Sequence, residues 1–286
     1  MKKQILVLHH AKCMDGITSA YVLRKKFGLS RTIEYHSMIH GSSPLPDFTG
    51  KEVYILDFSL MGEDLINCCN VATSVTIIDH HKTFIDHYTS LKEVPSNLNI
   101  ANTSTDHCGC VLTWKYLFPN DAVPLLLEYV EQRDLWLWNK EYCHEVLAYL
   151  ESYFPFDFDI LELLEQDLNR KFQQAVTDGI SILRYMRKQS EELTSKAEMY
   201  DFMGYKVPGI NNRIQVSEVL NDMGKGYPFA FAYWNSGGQL RVSLRSPSDG
   251  IDVSKVCEVL GGGGHRNAAG AVLELGDTSI FKLILN

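Results

Sequence analysis

The 286-residue chain is 45% hydrophobic and 22% charged, with a formal net charge of -8. That composition supplies one large or two medium buried cores and excludes an intrinsically disordered chain. The acidic balance excludes the broad basic face that long duplex nucleic acid requires, but it leaves room for a small nucleotide met by local cations and a few arginines.

Met-Lys-Lys and then four apolar residues at 5–8 make too short a run for a signal-peptide core or a membrane span, so the expectation is a cytoplasmic protein with no membrane partner. Residues 5–10 (ILVLHH) read as a strand. Residues 17–27 read as a helix, with Ile17, Ala20, Tyr21 and Leu23 at helical spacing. Strands follow at 53–58 (VYILDF) and 74–79 (SVTIID), with a short helix at 62–70 between them. These strands are continuous apolar runs, the pattern of a parallel sheet covered by helices on both faces. Each run ends in polar groups: His9-His10, Asp57 and Asp79-His80-His81. Sites in open α/β sheets lie beyond the carboxyl ends of the strands, so three strands deliver these groups to one edge. Helices are predicted at 107–118, 121–135 and 159–199, the last a long connecting helix. After residue 200, short apolar segments punctuated by Gly, Asn and Ser predict a mixed, β-rich second domain. The seven cysteines include no CxxC pair and read as reduced, mostly buried thiols.

Five constellations carry chemistry. His9-His10-Ala-Lys-Cys13-Met-Asp15-Gly16 offers imidazole, thiol and carboxylate to a divalent metal, or else a polar turn capping the next helix. Asp57 closes a buried strand. His80 and His81 end another, and strand alternation predicts that at most one of them points into any given site. Asp134 ends a helical pattern in Glu131-Gln-Arg133-Asp134-Leu-Trp136. Trp136 and Trp138 read as core residues in preference to base-stacking platforms. Finally, Gly261-Gly-Gly-Gly264-His265-Arg266-Asn-Ala-Ala-Gly270 reads as a glycine-rich turn feeding a helix start, with backbone N–H groups for a phosphate.

Together these motifs resemble the DHH phosphoesterase family, in the RecJ-like and nanoRNase branch with a DHH-associated C-terminal domain. Asp79-His80-His81 matches the family's defining triplet, residues 10–16 its HxxCxDG variant, and GGGGHRNAAG the signature of the associated domain, preceded by Arg241 to Ser246 and Ile251 to Ser254. The resemblance implies an α/β fold: a parallel-sheet catalytic domain (1–185), a helical linker (186–200) and a smaller mixed α/β substrate-binding domain (201–286). It implies two divalent ions, expected to be manganese, with the identity of the ion at the Cys13 position left open. One would take His10, Asp57 and Cys13. The other would take Asp15, Asp57, His80 and Asp134, with Asp57 bridging. Asp79 and His81 would polarise the attacking water or support the ligands. Arg245, Gly262, Gly263, Gly264, His265 and Arg266 would hold a substrate phosphate. Cys13 stands where most relatives carry aspartate, and a thiolate favours softer ions than manganese. Spacing to Asp15 favours His10 as ligand, while other branches would align His9.

The implied activity is hydrolysis of phosphodiester bonds in short single-stranded oligonucleotides or linear or cyclic dinucleotides, by an enzyme that could form a homodimer. Two other readings compete with it. One is a phosphatase for pyrophosphate or a phosphoadenosine nucleotide, and the other is a weakly catalytic nucleotide sensor.

Overall fold

In a computed structural model, residues 4–28, 32–39, 44–89, 93–101, 104–274 and 280–284 are described, so the Met-Lys-Lys start lies outside them. The chain divides into two compact units, Met1–Leu183 and Arg184–Asn286. Among the described residues, no helix is long and apolar enough to cross a membrane.

The first unit runs β1 (Ile5–His10), α1 (Met14–Phe27), β2 (Ile33–Met38), β3 (Glu52–Leu56), α2 (Gly62–Val71), β4 (Ser74–Ile78), α3 (Lys82–Thr89), β5 (Leu98–Ile100), α4 (Gly109–Leu117), α5 (Leu125–Asp134), α6 (Cys143–Glu151), α7 (Phe158–Arg170) and α8 (Phe172–Thr194), with the unit boundary inside α8. Its sheet has the order β2-β1-β3-β4-β5, and every pairing is parallel. The apolar runs are continuous because both faces are covered. Ile5 and Val7 enter a core with α1, α4, α5, α6 and α7, while Leu6 and Leu8 face the other way, onto Leu65, Cys68 and Phe84. Each of these fully buried aliphatic side chains contributes about 1.5–3 kcal/mol by leaving water. The order reverses between β1 and β3, and a doubly wound sheet opens a crevice at such a switch point.

One sequence expectation needs correction here. The stretch 159–199 is two helices interrupted at Lys171, and it gives way to a strand at Glu198. Strand β2, helices α3 and α6 and the three-residue β5 were not anticipated. The side chains of β2 are mostly half-buried, so its sequence IEYHSM lacks the apolar run that marks β1.

The second unit continues with β6 (Glu198–Phe202), β7 (Tyr205–Asn211), α9 (Val216–Met223), β8 (Ala230–Ser236), β9 (Gln239–Arg245), α10 (Val253–Val259), β10 (Gly263–His265), β11 (Ala268–Glu274) and β12 (Phe281–Leu283). These strands form a mixed sheet, β10-β11-β9-β8-β7-β6-β12, in which only β7 and β8 pair in parallel. Helix α9 covers one face through Val219, Leu220 and Met223, and α10 covers the other through Val253 and Cys257. The glycine run does not feed a helix. It follows α10 and folds into the β10–β11 hairpin, where a side chain on Gly262 would collide with the carbonyl oxygen of Gly270. The glycines therefore allow close strand pairing. A helix would have demanded an apolar stripe that the run lacks.

Candidate metal centre

The carboxyl ends of β1, β3 and β4, which are neighbours in the sheet, converge as the sequence predicts. His10 is the last residue of β1. A tight turn with Lys12 in the left-handed region (φ 57°) leads to Cys13, the N-cap of α1, and puts Asp15 in the first helical turn, almost fully buried. Gly16 allows this turn to close, because a side chain there would strike the carbonyl oxygen of His10. Asp57 lies one residue past β3 with φ 49°, a conformation rare for a residue with a side chain. Its N–H donates to the Ile78 carbonyl at 3.0 Å, which pins it to the end of β4.

Beyond β4 the chain has left the strand, so the alternation rule no longer separates the two histidines. His80 Nε2 lies 3.2 Å from Asp57 Oδ1, 3.4 Å from Asp134 Oδ2 and 3.8 Å from Asp15 Oδ2. His81 Nδ1 lies 3.9 Å from the same Asp57 oxygen. The expectation that only one histidine faces the site is therefore corrected. Asp79 orients His81: it accepts from His81 Nδ1 at 2.7 Å and from the His81 N–H at 3.2 Å, and it also accepts from Ser59 Oγ. His10, and not His9, reaches the centre, with Nδ1 3.6 Å from Asp57 Oδ2. The His9 ring is buried elsewhere, against the His10 carbonyl oxygen at 3.2 Å.

Two sets of ligand atoms result, each within 4.8 Å of one another: His10, Asp57 and His81, and Asp15, His80 and Asp134. The contact between Asp57 and His80 joins them. Cys13 belongs to neither set. Its thiol is pushed well up by burial and by the charges of Asp57, Asp134 and Asp15. A third set is Asp15 with Cys108 and Cys110, whose sulfurs are 3.4 Å apart, and all the described cysteines are free thiols.

Electrostatics ask for cations here. Burial and the charges of Asp57 and Asp134 push the Asp15 carboxyl well above the usual range. Burial would also raise Asp57, but His10, His80 and His81 hold it below the usual range. Burial would lower His80, yet Asp57, Asp134 and Asp15 lift it to about 10. Asp79 and Asp57 lift His81 to about 9, again against burial. Both Asp57 oxygens and Asp134 Oδ2 are buried and take no well-formed hydrogen bond. Buried charges persist only when paired or when coordinating a metal, so this donor set of imidazoles and carboxylates fits divalent ions.

Sequence reasoning passed over the N-terminus of α4. Gly109 N–H donates to Asp15 Oδ2 and Cys110 N–H to Asp15 Oδ1, both at 2.6 Å. A side chain at Gly109 would sit 2.7 Å from Asp57 Cβ and 2.9 Å from Asp15 Oδ2. Glu131 steadies this end by accepting from the Cys108 N–H at 3.2 Å, and it meets His107 Nδ1 at 3.0 Å. Gly109, set between two buried cysteines, is the only trace of this in the sequence. Trp136 also departs from expectation, being exposed and not core.

In the second unit, Arg245 is held by its Nε and Nη2 donating to Ser217 Oγ at 3.3 and 3.0 Å. Ala268 pairs with Arg245 on one side and with His265 on the other, so Arg245 and His265 share one face of the sheet two strands apart. Arg266 donates to the Gly250 carbonyl at 3.0 Å.

Residues 200–281 match the DHHA1 domain. The chain is 28% identical over 295 residues to an uncharacterized protein of Acanthamoeba polyphaga mimivirus, covering 93% of this chain and 66% of that one. It is 25% identical over 283 residues to oligoribonuclease NrnB of Bacillus subtilis, covering 90% and 70%. The chain thus spans about two thirds of the length of these relatives. Among solved structures, RecJ of Thermus thermophilus in complex with Mn2+ superposes with a TM-score of 0.50 at 13% identity, covering 95% of this chain and 50% of that one, a likeness of fold.

Proposed function

We propose that this chain, whose residues 200–281 match the DHHA1 domain, is a DHH-family phosphoesterase and a metal-dependent hydrolase of phosphodiester bonds in short single-stranded oligonucleotides or dinucleotides. The observation that carries this reading is the pair of ligand sets joined through Asp57, with buried carboxylate oxygens that take no well-formed hydrogen bond. His10 and Asp57 would hold one ion, with Cys13 as an added thiolate. Asp15, Asp57, His80 and Asp134 would hold the other. Manganese suits the carboxylate and imidazole donors. Bound divalent ions would supply a more acidic water and offset charge on the phosphoryl oxygens.

The protein's own groups do the rest. Asp57 ties the two ligand sets together. The α4 amides fix Asp15, and Asp79 fixes the His81 ring beside the centre, where the pair can orient a water and hold its proton. Arg245 and His265 would hold a phosphate remote from the scissile bond. NrnB is an oligoribonuclease by name, and that resemblance supports an oligonucleotide over pyrophosphate.

The test is to incubate the purified protein with Mn2+ and a panel of di- to decanucleotides, cyclic dinucleotides and pyrophosphate. Cleavage of short oligonucleotides or dinucleotides is expected. Turnover of pyrophosphate alone would refute the proposal.

A further inference from the structure

Just beyond the last acidic residue of the centre, the chain does something unusual with two large rings. Asp134 closes α5, and Trp136 and Trp138 follow, both with left-handed backbone (φ 57° and 55°). Bulky residues rarely adopt that conformation, and here it turns successive indoles toward each other. The rings meet edge to face, with centroids 4.7 Å apart at 87°. Trp138 stacks on His144 at 4.6 Å and 13°, and packs at the margin of the main core. The Arg133 guanidinium lies 4.9 Å from the Trp136 centroid and 5.9 Å from that of Trp138, and Glu151 fixes it at 2.6 Å. Trp136 is thus braced by an arginine and a second indole, yet it remains 41% exposed.

Position supplies the reason for an open, braced ring. Trp136 is two residues from Asp134, so their Cα atoms are at most about 7 Å apart. Asp134 in turn touches His80. A nucleotide whose phosphate sits at the centre would carry its base into this reach. Resting on the function proposed above, we infer that Arg133, Trp136 and Trp138 form a stacking subsite for the base next to the scissile phosphate. The face of an indole accepts any base, and the adjacent guanidinium adds attraction to both the ring and the phosphate. The subsite therefore anchors a nucleotide with little base preference, and it disfavours phosphodiesters that carry no ring.

The experiment uses the full chain in Mn2+ buffer with a phosphorothioate-linked dinucleotide containing 2-aminopurine, whose fluorescence is quenched on stacking. Ribose 5-phosphate serves as the base-free competitor. Trp136→Ala removes an exposed ring and spares the core, so the variant folds. It should weaken dinucleotide binding about tenfold, within the range of one lost stack, lose the quenching and leave the competitor's affinity unchanged. Trp136→Phe should recover part of both losses. Unchanged dinucleotide binding in Trp136→Ala would overturn the subsite, as would an equal loss for dinucleotide and competitor, or a wild type that does not bind the dinucleotide. Hydrolysis of the all-phosphate dinucleotide, followed in parallel, separates the two proposals. Trp136-dependent binding without hydrolysis keeps the subsite and removes the phosphodiesterase. Hydrolysis with Trp136-independent binding does the reverse.

Discussion

Replacing Gly109 by alanine sets two effects of opposite sign against each other. Gly109 opens α4, and by intrinsic preference alone Gly→Ala in a helix stabilises by up to about 1 kcal/mol. The local geometry opposes this. The new Cβ would sit 2.7 Å from Asp57 Cβ, 2.9 Å from Asp15 Oδ2 and 3.1 Å from Asp57 Cα. Ordinary carbon contacts lie at about 3.5–4.0 Å, so something must move by roughly 1 Å. Asp57 is pinned through its N–H to Ile78, and Asp15 is pinned by the same α4 amides that would be pushed away. Overpacking of this kind costs about 1–3 kcal/mol, which exceeds the helix gain. A displacement of about 1 Å at reacting groups can cost on the order of a hundredfold in rate. Urea denaturation of the metal-free variant should therefore show a lower midpoint, and the folded variant should bind Mn2+ more weakly and turn over far more slowly. A variant as stable as the wild type, with equal metal affinity, would show that α4 does not set the positions of Asp15 and Asp57.

Three further outcomes are expected. Arg245→Ala and His265→Ala should each raise KM for short oligonucleotides more than they lower kcat, since they would grip a remote phosphate; unchanged steady-state kinetics in both would remove that role. In the metal-free protein, the pKa of His80 is raised to about 10 and that of His81 to about 9, against an ordinary 6.5. Their stabilisation is thus fully present below about pH 6.5 and is lost as pH rises through 9 to 10. The urea midpoint should fall over that window, and fall less in Mn2+-loaded protein, where bound imidazoles are already neutral; parallel curves would refute this. Cys13→Ser should weaken one of two Mn2+ binding steps and spare the other, whereas identical isotherms would make Cys13 a helix cap only.

Much of the first unit was legible because burial on both sheet faces writes itself as unbroken apolar runs, as in ILVLHH and SVTII. The candidate ligands stood out because imidazole and carboxylate are scarce in such surroundings, so their appearance at three strand ends is conspicuous. What escaped notice has physical causes. Half-buried β2 carries no periodic apolar signal. The break at Lys171 separates two helices whose apolar periodicities each look continuous with the other's. Donation by the backbone of Gly109 and Cys110 leaves no side-chain signature. The pairing of His80 with His81 at one carboxylate depends on where β4 stops, and strand ends are weakly encoded. The exposure of Trp136 depends on two left-handed residues that the sequence did not suggest.

The central claim is that Asp57 joins two ion sites. Isothermal titration of Mn2+ into the metal-free protein and into Asp57→Asn tests it most directly. The Asp57 side chain is buried at a strand end with no well-formed hydrogen bond, so the isosteric amide should leave the fold intact. The wild type should bind two ions, and Asp57→Asn should lose affinity at both, because one carboxylate serves each. Two ions bound by Asp57→Asn with wild-type affinity, or loss at a single site with the other unchanged, would contradict the bridging role.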